Sequence, residues 1–354
     1  MLISTIFSKR KFAMTMILLS IILLAVAPLF AAPYLIISLI TILMYVILTL
    51  SWTMFSGPTN YISLATAALF GVGVYTSAVL NDFLPLIVVV IISGLFSFLL
   101  ALSIGLLTLR LKGVYFILFT FGVTALIRNA IQWWETHITL TVGRHVTSSG
   151  NDTVYGYLVA IYALTLMFIF LLQNSSYGMA LQGIGENEDA AEHIGIDVTR
   201  LKVIVFALSA IFMGAAGAVM ATRWRYIDPN IAFNPLLSFL PVLMAIFGGT
   251  WLLGGPILGA VIFTLLQEYL ITEYPYLYML LMGLTLVIVI LFLPGGLLTL
   301  VLKGYIWLVI QWAKTKWNWQ VLTTRWKEEW RPKVSMWLAQ WWLRWQWRMG
   351  RKRQ

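Results

Sequence analysis

Chemistry in a chain with no cysteine and three histidines has to come from its carboxylates, and these are scarce: thirteen in 354 residues. Five of them, Glu186, Glu188, Asp189, Glu192 and Asp197, fall within the thirteen positions from Gly185 to Asp197. His193 and Asp197 stand four apart there, a spacing that could serve an acid–base pair, although a helix-surface contact needs nothing more. His137, His145 and His193 share no metal-ligand spacing, so no metal site is expected. The run G-x-x-x-x-G-K-S/T is absent, so the chain has no P-loop with which to hold ATP itself. Gly248-Gly249 and Gly254-Gly255-Pro256 could suggest a phosphate cradle. They lie in apolar sequence, however, where glycine breaks membrane helices or lets them pack closely. No catalytic cluster can be assembled, and the chain does not read as an enzyme.

The element that must position the acidic run reads as a short helix over 186–195. Glu186, Asn187, Glu188 and Asp189 put capping and acidic groups where a first turn has unpaired N–H groups, and Ala190 and Ala191 are strong helix formers. Gly195 supplies a left-handed stop. Ile184, Ala191, Ile194 and Val198 recur at helical spacing, which offers an apolar stripe for docking while the carboxylates stay wet. A helix docked on a partner and a solvated loop helix fit these residues equally well.

Composition sets the class around that loop. Hydrophobic residues make up 61% and charged residues 10% of the chain, with a mean hydropathy of +0.91; soluble domains carry about 25% charge. The fold class is therefore all-α and polytopic. Since a span needs about 20 apolar residues, candidates lie near 12–31, 34–55, 61–80, 84–108, 113–131, 154–172, 201–221, 236–253, 255–271 and 277–293. The first is longer than a signal-peptide core and is expected to remain in the mature protein. Lys9, Arg10 and Lys11, then Arg110 and Lys112, then Arg200 and Lys202 fall on one side of ten spans, which the distribution of basic residues makes cytoplasmic. Both termini and the 174–200 loop follow to that side, and 132–153 and 222–235 go to the other. Arg144, Arg223 and Arg225 run against this trend.

The net charge of +10 resides in residues 303–354, which hold twelve basic and two acidic residues and eleven of the sixteen tryptophans. Trp326, Trp330, Trp337, Trp341 and Trp345 share a helical stripe that also carries Arg344 and Arg348. This composition suits a helix lying on anionic lipid rather than a nucleic-acid module. Two domains are expected, a membrane domain over 1–302 and this tail.

Several motifs resemble the LivM-type permeases of branched-chain amino acid ABC importers. The most specific is Tyr177-Gly178-x-Ala180 followed by Glu186-Asn187-Glu188-x-Ala190-Ala191-Glu192-x-x-Gly195-Ile196, leading into Leu208-Ser209-Ala210 and Gly214-x-x-Gly217-Ala218. Ile62-Ser63-Leu64 with Ala67-Ala68-x-Phe70-Gly71-x-Gly73-x-Tyr75, Leu109-Arg110-Leu111-Lys112-Gly113, Tyr226-Ile227-x-Pro229 and Phe292-x-Pro294 agree with it. The resemblance spans roughly 33–302. It implies a permease half in the bacterial inner membrane, paired with a LivH-type subunit, two cytoplasmic ATPases and an external solute-binding protein. ATP would be bound by the partner subunits, and the chain would carry no cofactor. Glu186, Asn187, Glu188, Ala190, Ala191, Glu192 and Gly195 become the ATPase-coupling helix, and Ser63, Thr66, Gly71 and Gly73 the candidates for the translocation pathway. Met179, Gly185, Ala65-Thr66, Trp251 and Gly295 depart from the family pattern and mark a divergent member. A related family with similar permeases carries urea and short amides. An ion-coupled transporter would need charges deep in its spans, and Glu268 and Arg128 alone come near that, close to predicted outer ends.

Overall fold

The computed structural model describes residues 14–292 and 296, apart from 16, 31, 110, 112, 142, 251 and 252. The basic tail, Arg110, Lys112, Trp251, Pro294 and Gly295 lie outside the described residues.

The described chain is a helical bundle: α1 (Ile17–Val26), α2 (Pro33–Thr59), α3 (Thr66–Leu80), α4 (Leu86–Thr108), α5 (Val114–Trp134), α6 (Asn151–Gln173), α7 (Ser176–Glu186), α8 (Glu188–His193), α9 (Val198–Trp224), α10 (Pro229–Ala232), α11 (Leu236–Gly248), α12 (Gly254–Glu273) and α13 (Tyr278–Phe292). Among the described residues, seven segments are long and apolar enough to cross a bilayer: α2, α4, Val114–Thr139, α6, α9, Pro229–Gly248 and α12. Each of the ten expected spans contains a helix; α3, at 15 residues, is shorter than a full crossing, while α1 and α13 adjoin residues outside the described ones.

α9 is the centre of the bundle and packs against α2, α3, α4 and α6. Its sequence explains this position. Gly214 to Ala218 form a run of small residues that lets neighbouring backbones close in, the main source of helix attraction in lipid. A Cβ on Gly73 of α3 would lie 2.0 Å from the Gly214 carbonyl oxygen. Gly248, Gly255 and Gly259 work in the same way, packing helix on helix: a Cβ on Gly248 would strike the Gly255 carbonyl oxygen.

The expected span at 61–80 begins as a helix only at Thr66. Asn60 caps α2 in the left-handed conformation at φ 60°, and residues 60–65 then run without helical structure. Buried backbone at membrane depth needs internal partners, and side chains supply them here. Trp52 Nε1 donates to the Ser63 carbonyl at 2.8 Å, and the Leu64 amide donates to Thr120 Oγ1 at 3.0 Å.

Contacts near the helix ends sort those ends into two sets. Asn60 meets Gly185, and Lys202 meets Leu109. Asp82 meets Thr147, Tyr155 meets Leu24, Tyr34 and Ser38 meet Glu268, and the strand Arg144–His145 pairs antiparallel with Tyr226–Ile227. The 174–200 loop is thus at one end of the bundle, and the 132–153 and 222–235 loops are at the other.

Candidate functional site

The acidic run folds as two helices rather than one over 186–195. Asn187 interrupts it with an extended backbone (φ −157°, ψ 109°) and caps α8, its side-chain oxygen accepting from the Ala190 amide at 3.2 Å. A side chain so well suited to start a helix ends the one before it. Glu186 therefore closes α7. Gly195 has φ +89°, and its amide bonds the Glu192 carbonyl while Ile196 bonds Ala191, a Schellman stop.

Two expectations about this loop are corrected. Ile184, Ala191 and Val198 form a buried cluster of their own chain, packed by Ile196 and Leu201, so the apolar stripe fixes α7–α8 to the base of α9 instead of being offered for docking. Ile194 leaves the stripe and is 78% exposed. Nor are the carboxylates uniformly wet. Glu188 is three residues before Ala191, on the same inward face, and its side chain is only 17% exposed. Glu186, Asn187, Asp189, Ala190, Glu192, His193 and Gly195 are exposed. His193 Nδ1 bonds the Asp189 carbonyl at 2.6 Å, whereas Asp197 caps α9 through the Arg200 amide and pairs with the Arg200 side chain at 3.0 Å, so the two make no acid–base pair.

Lys202, which counted toward the topology as a cytoplasmic charge, is 1% exposed. Its Nζ meets Glu188 Oε1 at 2.5 Å, Tyr61 Oη at 3.2 Å and the Leu109 carbonyl at 3.3 Å, and lies 4.4 Å from the Tyr61 ring centre. Tyr61 in turn donates to Glu188 Oε2 at 2.7 Å.

A small recess lies inward of this cluster. Trp52, Phe55 and Ser56 of α2, Ser63, Thr66 and Leu69, and Phe206, Ser209 and Met213 of α9 line it. Ser56 Oγ and Thr66 Oγ1 are buried there with no hydrogen-bond partner. Of the four pathway candidates, Ser63 and Thr66 thus reach a common cavity, while Gly71 and Gly73 serve packing. A Cβ on Gly71 would lie 2.4 Å from the Phe233 ring, and Gly73 abuts Gly214. Glu268 accepts from Tyr34 at 3.0 Å and Ser38 at 2.6 Å, tying α12 to α2 near one end of the bundle. Arg128 Nε is buried without a partner on α5.

A sequence profile of the branched-chain amino acid transport system / permease component family matches residues 34–290. The chain belongs to that family. The permease is 27% identical over 297 residues to the high-affinity branched-chain amino acid transport system permease protein LivM of Salmonella typhimurium, covering 72% of this chain and 68% of the relative. It is 26% identical to the Escherichia coli LivM with the same coverage. The ribose import permease RbsC of Haemophilus influenzae matches at 30% identity over 127 residues, 35% of this chain and 38% of the relative. No solved structure matches. These relatives are transport permeases, and this chain is an ABC-type permease component of many apolar membrane helices.

Proposed function

We infer that the protein is the membrane subunit of an ABC importer for branched-chain or other small amino acids in a bacterial inner membrane. It would pair with a LivH-type permease, two cytoplasmic ATPases and an external solute-binding protein, with both termini in the cytoplasm. The observation carrying this reading is the two-faced α7–α8 unit. Its inner face is bound to the permease by Ile184, Ala191, Val198 and the Glu188–Lys202 pair. Its outer face presents Glu186, Asp189, Glu192 and Ile194. An ATPase groove with basic rims and an apolar floor complements that face. ATP-driven closure of the ATPases would carry α8 with it and tilt the spans between two access states.

The amino acid class is supported by the breadth of the LivM similarity, since the ribose relative covers only about half as much of this chain. The twelve basic residues and eleven tryptophans of 303–354 suit attachment to anionic lipid. Uptake of labelled leucine and labelled ribose by cells expressing the assembly tests the solute class. Leucine accumulation without ribose accumulation supports it, and the reverse overturns it.

A further inference from the structure

A push on α8 has to reach the solute route, and Lys202 shows where it would go. A lysine in the first turns of a membrane helix ordinarily extends to the aqueous end. Lys202 instead turns inward and joins three elements: Glu188 of α8, Tyr61 of the 60–65 segment and Leu109 of the α4–α5 turn. The two oxygens of Glu188 divide the work, Oε1 to Lys202 on α9 and Oε2 to Tyr61. A second link runs alongside, with Asn60 Nδ2 donating to the Gly185 carbonyl at 2.8 Å. Gly185 also leaves no slack, since a Cβ there would lie 2.0 Å from the Pro58 carbonyl oxygen.

The connected parts differ in stiffness. α9 is clamped among α2, α3, α4 and α6. The 60–65 segment has no helix ladder and is held by side chains such as Trp52 and Thr120. Ser63 within it and Thr66 just after it border the recess, where the Ser56 and Thr66 hydroxyls are unpartnered. A displacement entering through Glu188 is therefore taken up by the segment, with α9 as the fixed post.

We propose that Glu188, Lys202 and Tyr61 form a transmission pin, positioning residues that carry motion of the α7–α8 unit into the 60–65 segment and so reshape the recess. This rests on the coupling role given to α8 above. The chain lacks cysteine, so paired spin labels can be placed cleanly. Gln182→Cys with Phe83→Cys follows the α7–α8 unit, and Ile62→Cys with Phe83→Cys follows the segment, both against the far end of α3. Distances are read by pulsed dipolar EPR in the full chain with its co-purified ATPase, without nucleotide and with ATP and vanadate. Both distances shift in the unmodified background. In Glu188→Gln/Lys202→Met, which removes both buried charges together, the Gln182 distance still shifts and the Ile62 shift falls by at least half. Tyr61→Phe, which keeps the ion pair, acts in the same direction. A full Ile62 shift in both variants overturns the pin. A Gln182 distance that never responds to nucleotide overturns the coupling reading itself, and the pin with it.

Discussion

A buried ion pair is dangerous to break and easy to replace. Removing one partner leaves an uncompensated charge and costs about 3–5 kcal/mol, whereas exchanging both for uncharged groups is near neutral. Lys202→Met alone should therefore sharply lower the thermal midpoint of the purified permease, and Glu188→Gln/Lys202→Met should recover most of the loss; equal losses in the two would mean the pair is not coupled as described. Ala191 calls for a revised expectation. As a docking contact it would give an arginine variant that inserts normally and merely uncouples transport. At 3% exposure, in the cluster with Ile184 and Val198, Ala191→Arg should instead reduce the yield of folded protein. A steric contrast comes from glycine: Gly73→Ala drives a methyl into the Gly214 backbone, while Gly122 has nothing within 4 Å of the same atom. Overpacking costs about 1–3 kcal/mol, so in a melting assay Gly73→Ala should lose stability and Gly122→Ala should not.

Among the elements, the acidic loop was legible in its ingredients and misread in its arrangement. Capping by Asn187 and the left-handed stop at Gly195 follow from residue type. Division into two helices did not, because a good N-cap looks the same whether or not a helix precedes it. The burial of Glu188 was implicit in spacing: it shares a face with Ala191, and Lys202 lies one turn beyond Val198. Taking the apolar stripe as outward hid both. The late start of α3 had no signal in hydropathy, since the partners of residues 60–65 come from Trp52 and Thr120, side chains elsewhere in the chain. The two sets of helix ends lead to a topology test. Single cysteines at Phe83 and Tyr276, which are 81% and 99% exposed, should react with an impermeant thiol reagent in intact cells, and one at Glu192 should react only after permeabilisation. Labelling of Glu192→Cys in intact cells would reverse the orientation.

For the whole molecule, composition identified a polytopic helical protein, and the motifs between 33 and 302 identified the family, whose profile matches 34–290. The crossing number was less legible, because α3 is apolar without reaching spanning length and starts five residues later than its hydropathy suggests. Solute identity was less legible still, since recognition depends on a few placed polar groups that hydropathy does not reveal. The tail follows from charge alone: each basic residue near an anionic surface contributes about 1 kcal/mol. A peptide of residues 320–354 should therefore bind anionic vesicles in preference to neutral ones, with a blue shift in tryptophan emission that salt reverses.

The central claim is that the exposed face of α7–α8 receives an ATPase, and affinity purification of the full chain from its native membrane tests it most directly. The unmodified permease should bring down a subunit without membrane spans that carries a P-loop, and Asp189→Lys/Glu192→Lys/Ile194→Asp should lose that subunit at an unchanged level in the membrane. A permease purified without any such subunit, or a triple variant that retains it fully, would contradict the account.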